Sequence, residues 1–328
     1  MRRVVIRRQV AIKGTAVAMS VLGVWLIVTY AAWKSERVSQ LETGSLLIQT
    51  ERGLMEYALQ GKGPAVLVLH GTLGGYDQGI LTAKALGVDT EFQFVAVSRP
   101  GYLRTPLSTG KMVDEQADAY AVLLDTLGIR QVAIIAESGG GLSAIPFVLR
   151  HPERCRALVL LSANTRRPVK SSQQTSLDLL VRLLGSDLGD FGQWGYFNLL
   201  KRKPDWFMWP IESDPGLGRR LRDDPLKWNL FLDLFNSIAP LSHRMDGALQ
   251  DAQILATYAD YPLQDITCPT LVVHGSADWG VPVVEAEQTA LIIPQAEFIR
   301  VEGADHWVLI THRDELLPKV IEFLKAHQ

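Results

Sequence analysis

Two cysteines, Cys155 and Cys268, are all that 328 residues contain, and they have no metal-like spacing. That scarcity excludes a disulfide scaffold and a cysteine-built zinc site. Two readings of the pair stay open: an exported domain could join them, or they are two separate buried thiols. Asn-x-Ser/Thr is absent, so no glycosylation acceptor points to a compartment. Acidic residues are missing from the first 33 positions, and residues 14–33 carry no charge at all. Beyond that segment the chain has 28 basic against 35 acidic residues, an excess of negative charge that gives no obvious affinity for nucleic acid or anionic lipid.

What is present falls into two materials. Arg2, Arg3, Arg7, Arg8 and Lys13 lead into the uncharged run 14–33, and Lys34, Glu36 and Arg37 end it. Twenty helical residues span roughly 30 Å, the thickness of a bilayer's hydrocarbon core. Residues 1–35 therefore read as an uncleaved signal anchor, a single-pass transmembrane helix. The five positive charges predict a cytoplasmic N-terminus and delivery of the rest to the periplasmic or extracellular side. Secretion after cleavage near Thr29-Tyr30-Ala31-Ala32 is the alternative. Arg7-Arg8 is only weakly similar to a twin-arginine export signal. The remainder is ordinary globular material, in a chain 47% hydrophobic and 21% charged.

The most informative stretch is 131–143, QVAIIAESGGGLS. The apolar run Val132 to Ala136 is too short for a helix and suits a strand buried on both faces. Ser138 then stands where the strand switches to a segment with helical spacing, flanked by small residues that let the turn close. Such a turn projects its side chain from the C-terminal edge of a sheet, and the helix behind it favours developing negative charge. A helix-capping serine is the plainer reading of the same residues.

Ala136-Glu137-Ser138-Gly139-Gly140 resembles the nucleophile elbow of the α/β-hydrolase family, with Ala where the familiar form has Gly. The likeness extends from about Ser45 to the C-terminus. Strand Ala65 to Leu69 runs into His70-Gly71-Thr72-Leu73-Gly74-Gly75, a loop without nucleotide-binding spacing. It is similar to the family's His-Gly-x loop, which implies that the Thr72 N–H joins that of Gly139 in an oxyanion hole, with Leu73 a further candidate, while His70 and Gly71 support the loop. Ser98-Arg99-Pro100-Gly101-Tyr102 departs from the family, in which an acidic residue is common. A strand ending at Gly275 precedes Asp278, and a last strand, residues 296–301, precedes His306. The order Ser138, Asp278, His306 is the family's order for nucleophile, acid and base. Asp305 is a rival acid by sequence, and Glu137 reads as a polar neighbour.

The resemblance implies a mostly parallel, doubly wound α/β sheet of eight strands. Residues 45–163 and 262–328 form this core. Residues 164–261 show no parallel strand and hold Trp194, Trp206, Trp209 and Trp228 with several Phe, so they read as a helical cap. Singly these aromatics read as cap core; together they suggest an apolar or aromatic substrate. The implied activity is that of a serine hydrolase, carboxylesterase or lipase-like, acting on a small apolar ester or carbonyl compound without metal or cofactor. C–C hydrolysis of ring-cleavage products and cofactor-free haloperoxidase or perhydrolase chemistry are alternatives. A non-catalytic small-ligand binding module on the same fold belongs to another class, and loss of Ser138 would spare it.

Overall fold

A computed structural model describes residues 2–88, 90–167, 183–204 and 216–328. The chain divides into two units, Met1–Thr43 and Gly44–Gln328. The first is one helix, α1 (Arg2–Thr43), within which Ala18–Thr43 is long and apolar enough to cross a membrane. It runs past the expected end at residue 35 because residues 34–43 are themselves compatible with a helix. There the Gln40 amide donates to the Glu36 carboxylate one turn back at 2.8 Å.

The second unit is built on eight strands: β1 (Leu46–Thr50), β2 (Gly53–Gly61), β3 (Ala65–Leu69), β4 (Gln93–Val97), β5 (Val132–Glu137), β6 (Cys155–Leu161), β7 (Thr270–Gly275) and β8 (Glu297–Val301). Their spatial order is β1-β2-β4-β3-β5-β6-β7-β8. The β1–β2 and β2–β4 pairs are antiparallel, and every other pair is parallel. The helices α2 (Tyr76–Leu86), α3 (Val113–Thr126) and α4 (Gly141–Arg150) connect the first parallel strands. Parallel strands need such crossovers, and the crossovers cover both faces of the sheet.

Coverage explains the uninterrupted apolar runs. In β5, Ile135 packs with Val66, Val68 and Val159 on one face, while Ile134 packs with Leu67, Leu69 and Leu158 on the other. The chain leaves β3 in one direction to form β4, then crosses back over β3 to form β5. The carboxyl ends of β3 and β5 are therefore the switch point of the sheet, where departing loops diverge and leave a crevice.

Between β6 and β7 the described residues form helices and no strand: α5 (Asp187–Arg202), α6 (Leu217–Asp223), α7 (Pro225–Ser237) and α8 (Met245–Thr257). The start of α7 is written locally. Asp224 accepts from the Leu226 and Lys227 N–H groups, and Pro225 occupies the first turn. Trp228, Phe231 and Phe235 stack along α7, and Phe235 lies against Trp307, with ring centroids 6.5 Å apart. Trp206 and Trp209 lie outside the described residues. The fold closes with α9 (Val283–Ile292), α10 (Val308–Thr311) and α11 (Arg313–Ala326). Cys155 and Cys268 are buried free thiols, and the Cys155 thiol donates to Cys268 Sγ at 3.1 Å.

Because β5 is covered on both faces, Ile134→Ala and Ile135→Ala should each cost about 2–5 kcal/mol, the range for truncating a fully buried isoleucine. Denaturant titration of both variants checks this. A large loss in one and almost none in the other would mean one face of β5 is open.

Candidate active site

Ser138 sits directly after β5 with φ of +46°, in the left-handed region that costs a non-glycine residue roughly 1–3 kcal/mol. Its surroundings over-determine the turn. The Ser138 carbonyl accepts from the Asn164 N–H at 2.9 Å, which ties it to the exit of β6. Behind it the backbone passes so close to β3 that a Cβ on Gly140 would stand 2.1 Å from the Leu69 carbonyl oxygen. Only glycine allows that approach. One 3-10 turn, Ser138–Gly140, leads from β5 into α4, and the Gly141 N–H donates back to the carbonyls of Ser138 and Gly139.

The loop after β3 meets this turn because Leu69 and Ala136 are paired in register. A Cβ on Gly139 would lie 3.1 Å from the Thr72 nitrogen and 2.4 Å from its hydroxyl. The two expected oxyanion donors are thus adjacent. Among the described residues the Thr72 N–H has no acceptor, whereas the Gly71 N–H is taken by the Gln78 side chain at 2.8 Å. His70 is buried and holds the loop from below. Its Nε2 accepts from the Arg99 N–H at 2.9 Å, so its Nδ1 carries the proton and donates to the Gly71 carbonyl at 2.7 Å. Burial and the Arg99 charge push the His70 pKa well down, in keeping with this neutral tautomer.

Asp278 and His306 follow the carboxyl ends of β7 and β8, which are paired at Gly275 and Val301. His306 Nδ1 lies 2.9 and 2.8 Å from the two Asp278 carboxylate oxygens. The Asp278 side chain is fully buried and that of His306 is 10% exposed. Burial pushes the Asp278 carboxyl up. The His274 and His306 bonds, the His306 charge and the Val281 N–H outweigh it and hold the group well below the usual carboxylate range. Asp305 turns to the Trp307 N–H at 3.0 Å and the Thr311 hydroxyl at 3.3 Å, and burial raises it to about 6. The rival acid therefore has other partners, and among the described residues the carboxylate bonded to the His306 imidazole is that of Asp278.

Ser138, His306, Gly71 and Thr72 line one cavity of about 150 Å³. Leu81 and Ala85 of α2, Leu161 of β6, Leu234 of α7, Ile238 and Val308 supply its apolar walls. Aliphatic residues line it more than the aromatics expected of the inserted segment, because α7 directs Phe231 and Phe235 into its own ring cluster.

A buried ionic network beneath the loop was not legible in the sequence. Arg99 Nη1 and Nη2 donate to the two Asp251 oxygens at 3.0 and 2.5 Å, and Arg99 Nε donates to the His70 carbonyl at 2.9 Å. The Tyr102 and Thr72 hydroxyls donate to the same Asp251 oxygen at 2.6 and 2.9 Å. Asp251 comes from α8, so the inserted helices and the Thr72 loop share one anchor. His274 was also missed; its Nε2 donates to the Val281 carbonyl at 2.9 Å and approaches Asp278 at 3.2 Å.

Asp251→Asn should destabilise the protein by about 3–5 kcal/mol, since it strands the buried Arg99 guanidinium. Thermal unfolding of the variant checks this, and a shift of under a degree would show that the network is slack.

Comparison with known proteins bears on this geometry. Residues 64–313 match the family described as alpha/beta hydrolase fold. The uncharacterized hydrolase YcgS of Bacillus subtilis is 38% identical over 120 residues, 36% of this chain and 41% of that protein. A 2-hydroxy-6-oxononadienedioate/2-hydroxy-6-oxononatrienedioate hydrolase of Cupriavidus pinatubonensis is 26% identical over 79% of this chain and 86% of its own length. Among solved structures, an alpha/beta hydrolase fold protein from Nakamurella multipartita superimposes with a TM-score of 0.75 at 28% identity, covering 87% of this chain and all of that one. With three quarters of its length matched and its sheet, switch point and elbow arranged as described, the chain belongs to the alpha/beta hydrolase family.

Proposed function

We propose that this protein is a membrane-anchored serine hydrolase that transfers the acyl group of a small apolar ester to water. The observation that carries the reading is the left-handed Ser138, which lines one cavity with a His306 already oriented by Asp278. In this mechanism Ser138 Oγ attacks the ester carbonyl while His306 Nε2, the nitrogen left free by Asp278, takes its proton. The Thr72 and Gly139 N–H groups hold the oxyanion that forms. Collapse of the tetrahedral species breaks the ester C–O bond, and His306 returns the proton to the departing alcohol. Water then enters with His306 again as base, and acid and free Ser138 result. Asp278 holds the Nδ1–H tautomer and stabilises the imidazolium. The helices of residues 164–261 act as the cap that excludes water from the cavity.

C–C bond hydrolysis is the second reading, favoured by the relative from Cupriavidus pinatubonensis, whose name gives it a dienedioate substrate. It would use the same three side chains on a ketone.

The basic residues Arg2 to Lys13 in the first part of α1 and the candidate span Ala18–Thr43 that follows them support anchoring with the N-terminus in the cytoplasm. In a bacterial host, protease added to spheroplasts is then expected to degrade residues 44–328. Full protection of that unit would reverse the orientation.

The central test is labelling of the detergent-solubilised full chain with a fluorophosphonate. The wild type should label at one site, and Ser138→Ala and His306→Ala should not, with ester hydrolysis falling by about 10⁴-fold or more in both. A folded wild type that stays unlabelled would overturn the hydrolase reading and favour a binding module.

A further inference from the structure

Gln78, Thr82, Glu137, Ser162 and Trp307 line the cavity with polar side chains that take no part in the proposed chemistry, and the buried indole N–H of Trp307 has no hydrogen-bond partner among the described residues. Glu137, the residue before Ser138, lines the cavity with one carboxyl oxygen held by the Thr82 hydroxyl at 2.5 Å. Ser162, just past β6, also lines it; this residue is 2% exposed, and its hydroxyl has no hydrogen-bond partner. An unpaired buried hydroxyl is costly, and an acceptor on a ligand that reached it from the cavity would satisfy it. No lysine or arginine is among the described residues that line the space.

We propose that Glu137 is a specificity-determining residue of this cavity, admitting acyl groups that end in an uncharged hydrogen-bonding group and turning away those that end in a carboxylate. The inference rests on the ester reading above and deepens it. A substrate carboxylate would have to shed its water beside another carboxyl group, with no lysine or arginine among the described residues lining the space to compensate. A carboxamide of the same shape meets complementary groups instead: its N–H donors face the free oxygen of Glu137, and its carbonyl accepts from Ser162. Burial raises the Glu137 carboxyl to about 7, so the contrast is greatest in mildly alkaline solution, where Glu137 is mostly ionised. Size sets a second limit. A space of about 150 Å³ holds a group of roughly the volume of a benzene ring, or a six-carbon acyl chain. By this reading the chain differs in substrate charge from its dioate-hydrolysing relative.

The test uses the solubilised full chain at about pH 8 and three 4-nitrophenyl esters: hexanoate, the adipate half-ester and the adipamate ester, the last two isosteric. Wild-type kcat/KM for the carboxamide should exceed that for the carboxylate by about 100-fold. In Glu137→Gln the ratio should shrink by about tenfold or more, because the carboxylate is no longer repelled. Ser162→Ala should lower the carboxamide rate relative to hexanoate by about tenfold, the loss expected on removing one hydrogen bond to a buried group. A wild-type ratio within about threefold of unity, which needs no variant to fold, would overturn the inference, as would an active Glu137→Gln with an unchanged ratio. A protein that labels and hydrolyses hexanoate without discriminating fails this inference alone. One that neither labels nor hydrolyses any ester fails the reading beneath it.

Discussion

Everything at the crevice depends on one backbone constraint, the left-handed turn at Ser138. A turn of this kind opens spontaneously unless its neighbours forbid relaxation, since relief is worth roughly 1–3 kcal/mol. Here the neighbours are the sheet itself. The Asn164 N–H holds the Ser138 carbonyl from the β6 side, and Gly140 is pressed against Leu69 on the β3 side. The strain is confined between two parallel strands buried on both faces. Stability of the core and exposure of one hydroxyl are thus the same fact seen from two ends, and a looser sheet would cost the turn before it cost the fold.

The second constraint is electrostatic and acts at a distance from the reacting atoms. Arg99 and Asp251 are fully buried, and a pair of this kind contributes little net stability once desolvation is counted. Its value is geometric. Arg99 binds the loop after β3 through the His70 carbonyl and through the backbone N–H that fixes the His70 tautomer. Asp251 binds it through the Thr72 hydroxyl. Two sides of one loop are thereby referred to a single guanidinium–carboxylate pair, and the Thr72 N–H, beside Gly139, has no acceptor among the described residues. Arg99 stands in the segment where the sequence departs from the family's usual pattern, so that departure sits next to the machinery it helps to hold.

The centre of the sheet was legible because β3 and β5 are short apolar runs bounded by glycine, proline and charge, and a strand buried on both faces leaves no other pattern. Ser138, Asp278 and His306 could be placed at one edge for the same reason: each follows the carboxyl end of a strand, and parallel strands put those ends together. What escaped notice depends on contacts that no local pattern encodes. Arg99 and Asp251 are 152 residues apart, and neither looks unusual in its own segment. The bond between Thr82 and Glu137 joins the middle of α2 to the end of β5, and only the packing of α2 on the sheet creates it. The inserted segment was legible as helical and aromatic. Which of its side chains reach the cavity was not, because that is set by the rotation of α7 about its own axis.

That rotation separates two roles which composition alone had merged. On α7, Trp228, Phe231 and Phe235 point into a ring cluster that continues to Trp307, next to His306. Leu234 on the same helix, and Ile238 just beyond its end, face the cavity. Rings give the inserted helix its rigid seat, and smaller aliphatic side chains leave room beside Ser138. An aromatic-rich insertion is therefore weak support for an aromatic substrate, since rings spent on holding the helix in place are not available to contact a ligand. Among the described residues the cavity walls are mostly aliphatic, with Trp307 and a few polar side chains breaking them.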